Sequence, residues 1–206
     1  MIIDPATCPA REIYSYMIGC ITPRPIAWVS TISLNGIPNL APFSFFNGVG
    51  ANPPTIVFCP VNHRDGSKKD TLRNIEATHE FVVNLVPYSL AVPMNESSAE
   101  LPYETDEFIV SGMTPVPALK VKAPRVKESP VHIECVLHQI VNVGTGALGA
   151  NLVIGRIVLM EFADAVVTPD GKIDALKLDT IGRMGGAYYT RTTQLFEVPR
   201  PQVPPP

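Results

Sequence analysis

Three features that assign many chains to a class are missing from this sequence. Basic residues are not in excess: 16 lysines and arginines face 19 aspartates and glutamates, so the formal net charge is −3. This charge argues against nucleic acid or an anionic membrane as the main partner. No apolar run approaches the ~18 residues that indicate a membrane-spanning helix. The start, Met1-Ile2-Ile3-Asp4, has no basic secretory pattern, so a cytoplasmic location is expected.

Cysteine is also sparse. None of the four cysteines forms a C-x-x-C pair with another, which speaks against a zinc ribbon or a dithiol site. The remaining composition, 46% hydrophobic and 17% charged residues, is that of a globular domain rather than a disordered chain. We expect one domain over residues 1–197 and a proline-rich tail over residues 198–206.

The clearest local signal is a β-hairpin near the start of the chain. Pro25–Ser33 is predicted to form a strand, and Asn35-Gly36 is typical of a tight type I′ turn. The returning strand, Ile37–Phe46, contains Pro38 and Pro42. Because proline cannot donate to a strand ladder, this second strand is predicted to be an edge strand or to be interrupted.

The rest of the chain favours strands over helices. A helix at Thr71–His79 is predicted to turn Leu72, Ile75 and Ala77 toward the core. Further elements are predicted as strands at Thr55–Cys59, Phe81–Val86, Val131–Val143 and Asn151–Phe162, and as helices at Arg11–Ile18, Tyr88–Met94 and residues 172–183. Many short strands, tight turns and few helices predict a mainly β fold, an antiparallel barrel.

Two short motifs match known functional signatures but have an ordinary structural explanation. Gly144–Gly149 matches G-x-G-x-x-G, but the β-branched run that follows predicts a hairpin turn instead of a dinucleotide-binding loop. His132 and Glu134 match the first half of a zinc deaminase signature, yet no Pro-Cys-x-x-Cys follows. With His138 at period two, they are interpreted as the solvated polar face of a strand.

Small hydroxyl residues beside aromatic ones suggest a ligand. They occur in Thr22–Thr31 and Asn39–Phe46 and suit a flat aromatic ring with a polar edge. Lys69 and Thr71 stand at a predicted helix start, where a phosphate binds readily. The alternative is a solvent-exposed lysine next to a helix that Asp70 caps. Together the features point to flavin mononucleotide (FMN).

Several motifs, in order over about residues 14–190, resemble the flavin reductase-like FMN-binding proteins with a split-barrel fold. This group includes flavoredoxin and the reductase components of two-component monooxygenases. The motifs are Arg24-Pro25-Ile26-Ala27-Trp28-Val29-Ser30-Thr31, Asn39-Leu40-Ala41-Pro42-Phe43-Ser44-Phe45-Phe46, Asn52-Pro53-Pro54, Lys69-Asp70-Thr71-x-x-Asn74-Ile75, Glu80-Phe81-Val82-Val83-Asn84 and Arg183-Met184-Gly185-Gly186-x-Tyr188.

The resemblance implies a Greek-key split barrel, a homodimer with FMN near the subunit interface, and hydride transfer from NADH or NADPH. It also implies a monooxygenase or redox protein as a possible partner. The cofactor-binding candidates are Arg24, Val29, Ser30, Thr31, Asn39, Ala41, Pro42, Phe43, Ser44, Phe45, Gly50, Lys69, Asp70, Thr71, Arg183 and Tyr188. No catalytic acid, base or metal is expected, because hydride transfer depends on positioning.

The sequence leaves the role of several of these candidate residues open. Arg24 is expected to contact phosphate or the flavin edge, or else to be an exposed loop charge. The backbone around Ala41–Phe45 is expected to donate to the ring, and Trp28 is expected in the core. Gly50 departs from the family pattern, since many relatives have a hydroxyl residue there. The Arg183–Tyr188 segment is expected at the nicotinamide side or at the dimer seam.

Three functions are compatible with these residues. The first is an NAD(P)H:flavin oxidoreductase that supplies reduced flavin to a monooxygenase. The second is an electron-transfer protein that holds FMN tightly and oxidises NAD(P)H poorly, as the resemblance to flavoredoxin implies. The third is a flavin-free barrel that binds another ligand in the same pocket.

Overall fold

A computed structural model describes residues 1–201, and most of its regular structure is antiparallel β. Its strands are β1 (Ala27–Ile32), β2 (Pro38–Phe43), β3 (Phe46–Ala51), β4 (Pro54–Phe58), β5 (Glu80–Asn84), β6 (Pro115–Val116), β7 (Arg125–Val126), β8 (Val131–Val143), β9 (Ala150–Phe162), β10 (Ile181–Arg183) and β11 (Tyr189–Arg191). Its helices are α1 (Ala10–Cys20), α2 (Asp70–Thr78), α3 (Ala91–Glu96), α4 (Glu107–Ser111) and α5 (Ala175–Leu178), with 3₁₀ turns at Tyr88–Leu90 and Asp164–Val166.

Seven strands form one sheet in the order β2-β1-β5-β8-β9-β4-β3. β2 and β3 lie at opposite edges, yet only Ser44 and Phe45 separate them along the chain. Three residue steps span at most about 11 Å, so the sheet must roll until its two edges meet at this corner. The resulting barrel, split at one seam, confirms the predicted mainly β architecture.

β2 is an edge strand, as its prolines predicted. One edge of β2 pairs with β1, in the register Ala27↔Phe43 and Val29↔Ala41. Leu40 faces the other way, and its N–H donates to Glu107 Oε2 at 3.0 Å. Because strand orientation alternates, Pro38 and Pro42 share the outward side with Leu40. The outer edge of β2 therefore has no free N–H over these positions.

The barrel interior is filled by aromatic and branched side chains. The Phe58 ring lies 5.2 Å from the Phe43 ring and 5.4 Å from the Phe81 ring, centroid to centroid. Trp28 is fully buried in a second cluster, and its indole N–H donates to Ser97 Oγ at 2.8 Å. The expectation that Trp28 belongs to the core is thus confirmed.

The long hairpin of β8 and β9 also confirms its prediction. Gly144 and Gly146 have positive φ between the two strands, and β8 pairs with β9 from Val143↔Ala150 onward. The G-x-G-x-x-G match is therefore a hairpin turn, as interpreted from the β-branched run that follows it.

Three predictions about helices are wrong. Residues 172–183 do not form one helix: Asp174 accepts hydrogen bonds from two N–H groups of the single turn α5, and Asp179, at φ 45°, ends it. The chain then continues as β10. Helix α2 begins at Asp70, so the capping position belongs to Lys69, and no side chain caps it. Ala77 is exposed, unlike the buried Leu72 and Ile75.

The predicted solvated face of β8 is also wrong for two of its three residues. Glu134 is fully buried and accepts hydrogen bonds from the N–H groups of Leu119 and Lys120. His132 is 8% exposed and contacts the Val126 carbonyl at 2.8 Å. Only His138 is exposed. The segment around residues 117–126 covers this face, a packing that strand periodicity cannot show.

Within residues 1–201, no helix is both long and apolar enough to cross a bilayer. The same part of the chain has no cluster of three or more His, Cys, Asp or Glu residues that could hold a metal ion. Of the predicted tail, residues 198–201 are exposed and belong to no helix or strand, and residues 202–206 lie outside the described residues.

Candidate functional site

A groove follows the open edge of β2, and we call it the β2 groove. It consists of three connected clefts that all border Pro42 and Phe43. Its central cleft encloses about 510 Å³ including the open mouth. The groove runs from the corner between β2 and β3, past β2, to the start of α2. The segments that pack along the β2 edge, α2 and α4 among them, form the other wall of the groove.

Ten of the sixteen candidate residues border this groove. They come from β2, the β2–β3 corner, the start of α2 and β10: Asn39, Ala41, Pro42, Phe43, Ser44, Phe45, Lys69, Asp70, Thr71 and Arg183. Candidates from three of the six motifs, which are far apart in sequence, therefore meet at one groove.

The other six candidates lie elsewhere. Val29 and Ser30 are fully buried, and the Ser30 hydroxyl donates to the Pro124 carbonyl. Thr31 is buried behind the groove. Gly50 lies on the exposed strand β3, and Tyr188 is 77% exposed. Arg24, the sixth, lies behind the corner between β2 and β3.

The corner between β2 and β3 provides free backbone donors. Within residues 1–201, the N–H groups of Ser44 and Phe45 donate to no backbone carbonyl or side chain, whereas Ala41 and Phe43 belong to the ladder with β1. The Phe45 ring packs edge-on to Tyr14, with centroids 6.2 Å apart. Of the predicted donors in Ala41–Phe45, only these two corner groups are free. They adjoin an aromatic wall.

Arg24 holds this corner from behind. The side chain is 4% exposed, so the exposed-charge alternative is wrong. Its Nη1 donates to the carbonyls of Ile18 and Ile21 at 2.7 Å each, and its Nη2 donates to Met184 at 3.0 Å. Its Nε contacts Ser44 Oγ at 3.3 Å. Four of its five N–H donors are thereby used within the protein, which ties α1 and β10 to the corner.

A cation, Lys69, lies beside the start of α2 and borders both the central cleft and the cleft next to Phe45. The Lys69 ammonium lies 3.1 Å from His63 Nδ1 and 3.3 Å from a carboxylate oxygen of Glu100. Its hydrogen bond lowers the pKa of Glu100. The Glu100 side chain is 69% exposed, so this contact is open to exchange with another anion.

The start of α2 adds backbone donors beside Lys69. The first helical hydrogen bond runs from Arg73 N–H to the Lys69 carbonyl, so the three preceding N–H groups have no helical acceptor. The Thr71 hydroxyl donates to Asn39 Oδ1 at 2.7 Å and is therefore committed within the protein. Lys69 and the backbone N–H groups are therefore the groups here that could hold an anion, and the Thr71 hydroxyl is not.

The sequence analysis missed one carboxylate that borders the central cleft, Glu107. Glu107 is 6% exposed, borders the central cleft, and accepts from Asn39 Nδ2 and Leu40 N–H at 3.0 Å each. Burial raises its pKa, and the neighbouring charge of Asp70 acts in the same direction. In the sequence, Glu107 follows Asp106 at an ordinary helix start, which gives no signal of a ligand.

The far side of the groove is formed by β10 and β11. The Arg183 guanidinium lies 4.5 Å from the centre of the Tyr189 ring, and both residues border the cleft beside Ser44. The Tyr189 hydroxyl contacts Asn95 Oδ1 at 3.3 Å. Sequence reasoning chose Tyr188, but in the β10–β11 hairpin it is Tyr189 that faces the groove.

The groove therefore fits an elongated ligand with three chemically different parts. Corner N–H groups beside Phe45 suit the acceptor-rich edge of a flat ring. Lys69 and the start of α2 suit an anion. In the central cleft that Lys69 also borders, Glu107 presents an acceptor to groups that donate hydrogen bonds.

Comparison with known proteins gives concordant matches. The sequence profile of the family described as "Flavin reductase like domain" matches residues 18–176. An uncharacterized protein of Halalkalibacterium halodurans is 37% identical over 205 residues, which are 98% of each chain. Nitrilotriacetate monooxygenase component B from Bacillus cereus has a TM-score of 0.91 and 34% identity, covering 96% of this chain and 98% of that chain. The 2-nitrobenzoate 2-nitroreductase NbaA of Pseudomonas fluorescens has a TM-score of 0.88 and 30% identity, covering 100% and 98%.

Proposed function

Because this chain belongs to the flavin reductase-like family, we propose that it binds FMN in the β2 groove and transfers hydride from NADH or NADPH to it. One observation carries the proposal: a single groove has unpaired N–H groups at its corner, at Ser44 and Phe45, and a cation, Lys69, beside the start of α2. A flavin mononucleotide has a ring with an acceptor edge and a phosphate in the same arrangement.

The corner residues bind the ring in this proposal. When bound, the flavin supplies the hydride acceptor. The N–H groups of Ser44 and Phe45 donate to its pyrimidine edge, where reduction places negative charge, so they favour the reduced form. Arg24 acts indirectly, because its bond to Ser44 fixes the corner.

Lys69 and the start of α2 bind the phosphate. The phosphate replaces the Glu100 carboxylate next to the Lys69 ammonium, and the free N–H groups of α2 complete the anion site. The exposed Glu100 side chain moves into solvent at little cost.

The nicotinamide approaches from the side of Arg183 and Tyr189. This part of the groove is open and adjoins Ser44, so a second flat ring there stacks against the first. No protein acid or base takes part in the proposed hydride step, and the residues contribute by positioning.

A second subunit completes the barrel surface. An apolar cleft bordered by Phe46, Ile56, Ile133, Ile157 and Met160 lies open on the single chain. Strand β3 beside it is exposed along most of its length. Apolar surface of this kind supports the homodimer that we propose.

The electron acceptor after the flavin is the remaining part of the proposal. The Bacillus cereus neighbour is named as a component of a monooxygenase, and we propose that this chain likewise supplies reduced flavin to a monooxygenase partner. The alternative is a carrier that keeps its FMN and passes electrons to a protein.

Gel filtration followed by an oxidation assay tests the function. The protein is loaded with FMN and desalted, and NADH or NADPH consumption is then followed with and without added FMN. Rapid consumption that depends on added FMN identifies a reductase with exchangeable flavin. Retained FMN with negligible consumption of NADH and NADPH identifies the carrier. If the protein neither binds FMN nor consumes a nicotinamide, both functions are refuted.

A further inference from the structure

Glu107 has one carboxylate oxygen that no protein group satisfies. Both of its hydrogen bonds, from Asn39 Nδ2 and Leu40 N–H, go to Oε2. Within residues 1–201, Oε1 has no hydrogen-bond partner. It is also not fully enclosed by protein, because Arg125 Nη1 is the one fully enclosed side-chain polar atom of these residues that lacks a partner. Since Glu107 is 94% buried and borders the central cleft, Oε1 is directed into that cleft.

The surrounding hydrogen bonds fix this orientation. Asn74 Nδ2 donates to Thr31 Oγ1, whose hydroxyl donates to Asn39 Oδ1. The Asn39 amide then donates to Glu107 Oε2. All donors in the chain point toward the carboxylate, so the amide of Asn39 has one orientation and Glu107 can act only as the acceptor at its end.

The charges around Oε1 decide what can bind it. Asp70 and Glu100 border the same cleft, and a phosphate placed against a third carboxylate would be repelled. A neutral group that donates a hydrogen bond is favoured there. Glu107 borders the same cleft as Lys69, and in a ligand with its phosphate at Lys69 the part next to the phosphate is the hydroxylated side chain.

We propose that Glu107 Oε1 accepts a hydrogen bond from a hydroxyl of the flavin's polyol side chain and so selects flavins that carry this chain. The inference rests on the proposed function and extends it to a residue that lies outside every motif of the resemblance. Glu107 is a binding residue in this role, and hydride transfer does not involve it.

Three flavins of increasing length test the proposal by fluorescence titration: lumiflavin, with no polyol chain; riboflavin, with the chain; and FMN, with chain and phosphate. In Glu107→Gln, the amide oxygen keeps both bonds to Asn39 and Leu40, and an amide N–H₂ replaces Oε1. Losing a charged acceptor should weaken riboflavin and FMN about 5- to 10-fold while lumiflavin affinity stays the same. Glu96→Gln, an exposed residue with no hydrogen bond through its side chain among residues 1–201, is the matched control.

The outcomes separate the possible roles. Equal weakening of all three flavins would show that Glu107 only holds Asn39, and tighter binding of FMN alone would show that it faces the phosphate; either result overturns the proposal. Deoxyriboflavins, which lack a hydroxyl of the polyol chain, should bind the unsubstituted protein more weakly than riboflavin does. This second measurement does not depend on the variant. Absence of binding of any flavin to the unsubstituted protein would refute the proposed function itself.

Discussion

Two neighbouring lysines have different environments. Lys68 pairs with Glu76 at 2.6 Å on the exposed side of α2, whereas Lys69 enters the groove. Lys69→Ala should therefore weaken FMN binding about 10-fold or more, as expected for a charged hydrogen bond to phosphate. Lys68→Ala should leave the affinity unchanged. Isothermal titration at low salt measures both, and equal effects of the two substitutions would contradict the assignment.

Glu107 should also change how stability depends on pH. Burial raises its folded-state pKa, so its contribution to stability is complete below the unfolded pKa of about 4.3 and is lost as pH rises through the folded pKa. The free energy of unfolding of the unsubstituted protein relative to Glu107→Gln should fall as the pH rises above about 4.3. Urea unfolding at several pH values measures this difference, and Asp70, the charge that faces Glu107, is present in both proteins. A difference that rises with pH would contradict the account.

Residue roles were only partly predictable from the sequence. Lys69, Ser44 and Phe45 were predicted from the motifs that contain them, and all three border the groove; their contact with a ligand stays a prediction. Val29 and Ser30 belong to another motif of the resemblance but are buried, because β1 lies between β2 and β5 and both of its faces are covered. Alternation gives no signal in such a strand. Glu107 was missed because its role depends on a contact with Asn39 across 68 residues of chain.

At the scale of elements, Arg24 joins three segments. Arg24→Met should destabilise the protein by about 2 kcal/mol or more, because buried carbonyls of Ile18 and Met184 lose their donor. Arg11→Met, on the exposed side of α1, should have almost no effect. Chemical denaturation gives both values. Retained stability in Arg24→Met would show that α1 is held by other contacts.

Cys59, directly after β4, borders the ring end of the groove beside Phe45 and Lys69. Bound FMN should therefore slow alkylation of Cys59. Burial raises the pKa of this thiol, so the reaction is followed above neutral pH. Exposed Cys20 serves as the internal control, and its rate should not change. Peptide mass spectrometry measures both sites; equal rates at Cys59 with and without FMN would place the ring elsewhere.

Elements with long, regular patterns were predictable, and locally capped ones were not. The boundaries of β8 and β9 agree with their predictions to within one residue, because thirteen-residue strands carry a sustained signal. Residues 172–183 failed because Asp174 and Asp179 restrict the helix to one turn. Such capping depends on side-chain geometry and not on hydrophobic periodicity.

The whole molecule is expected to pair through its open apolar cleft. Sedimentation should give a mass near twice the 22.3 kDa of one chain. Met160 is 46% exposed at the edge of this cleft, so Met160→Lys should shift the equilibrium toward monomer. A single-chain mass for the unsubstituted protein at micromolar concentration would contradict the proposed dimer.

The visible spectrum under anaerobic conditions tests the central claim most directly. The protein is mixed with FMN, and NADH and NADPH are added separately in the absence of air. The account predicts a flavin absorption that is shifted from that of free FMN and bleaches rapidly with at least one of the two nicotinamides. A spectrum identical to free FMN, with no bleaching beyond the rate without protein, would contradict it.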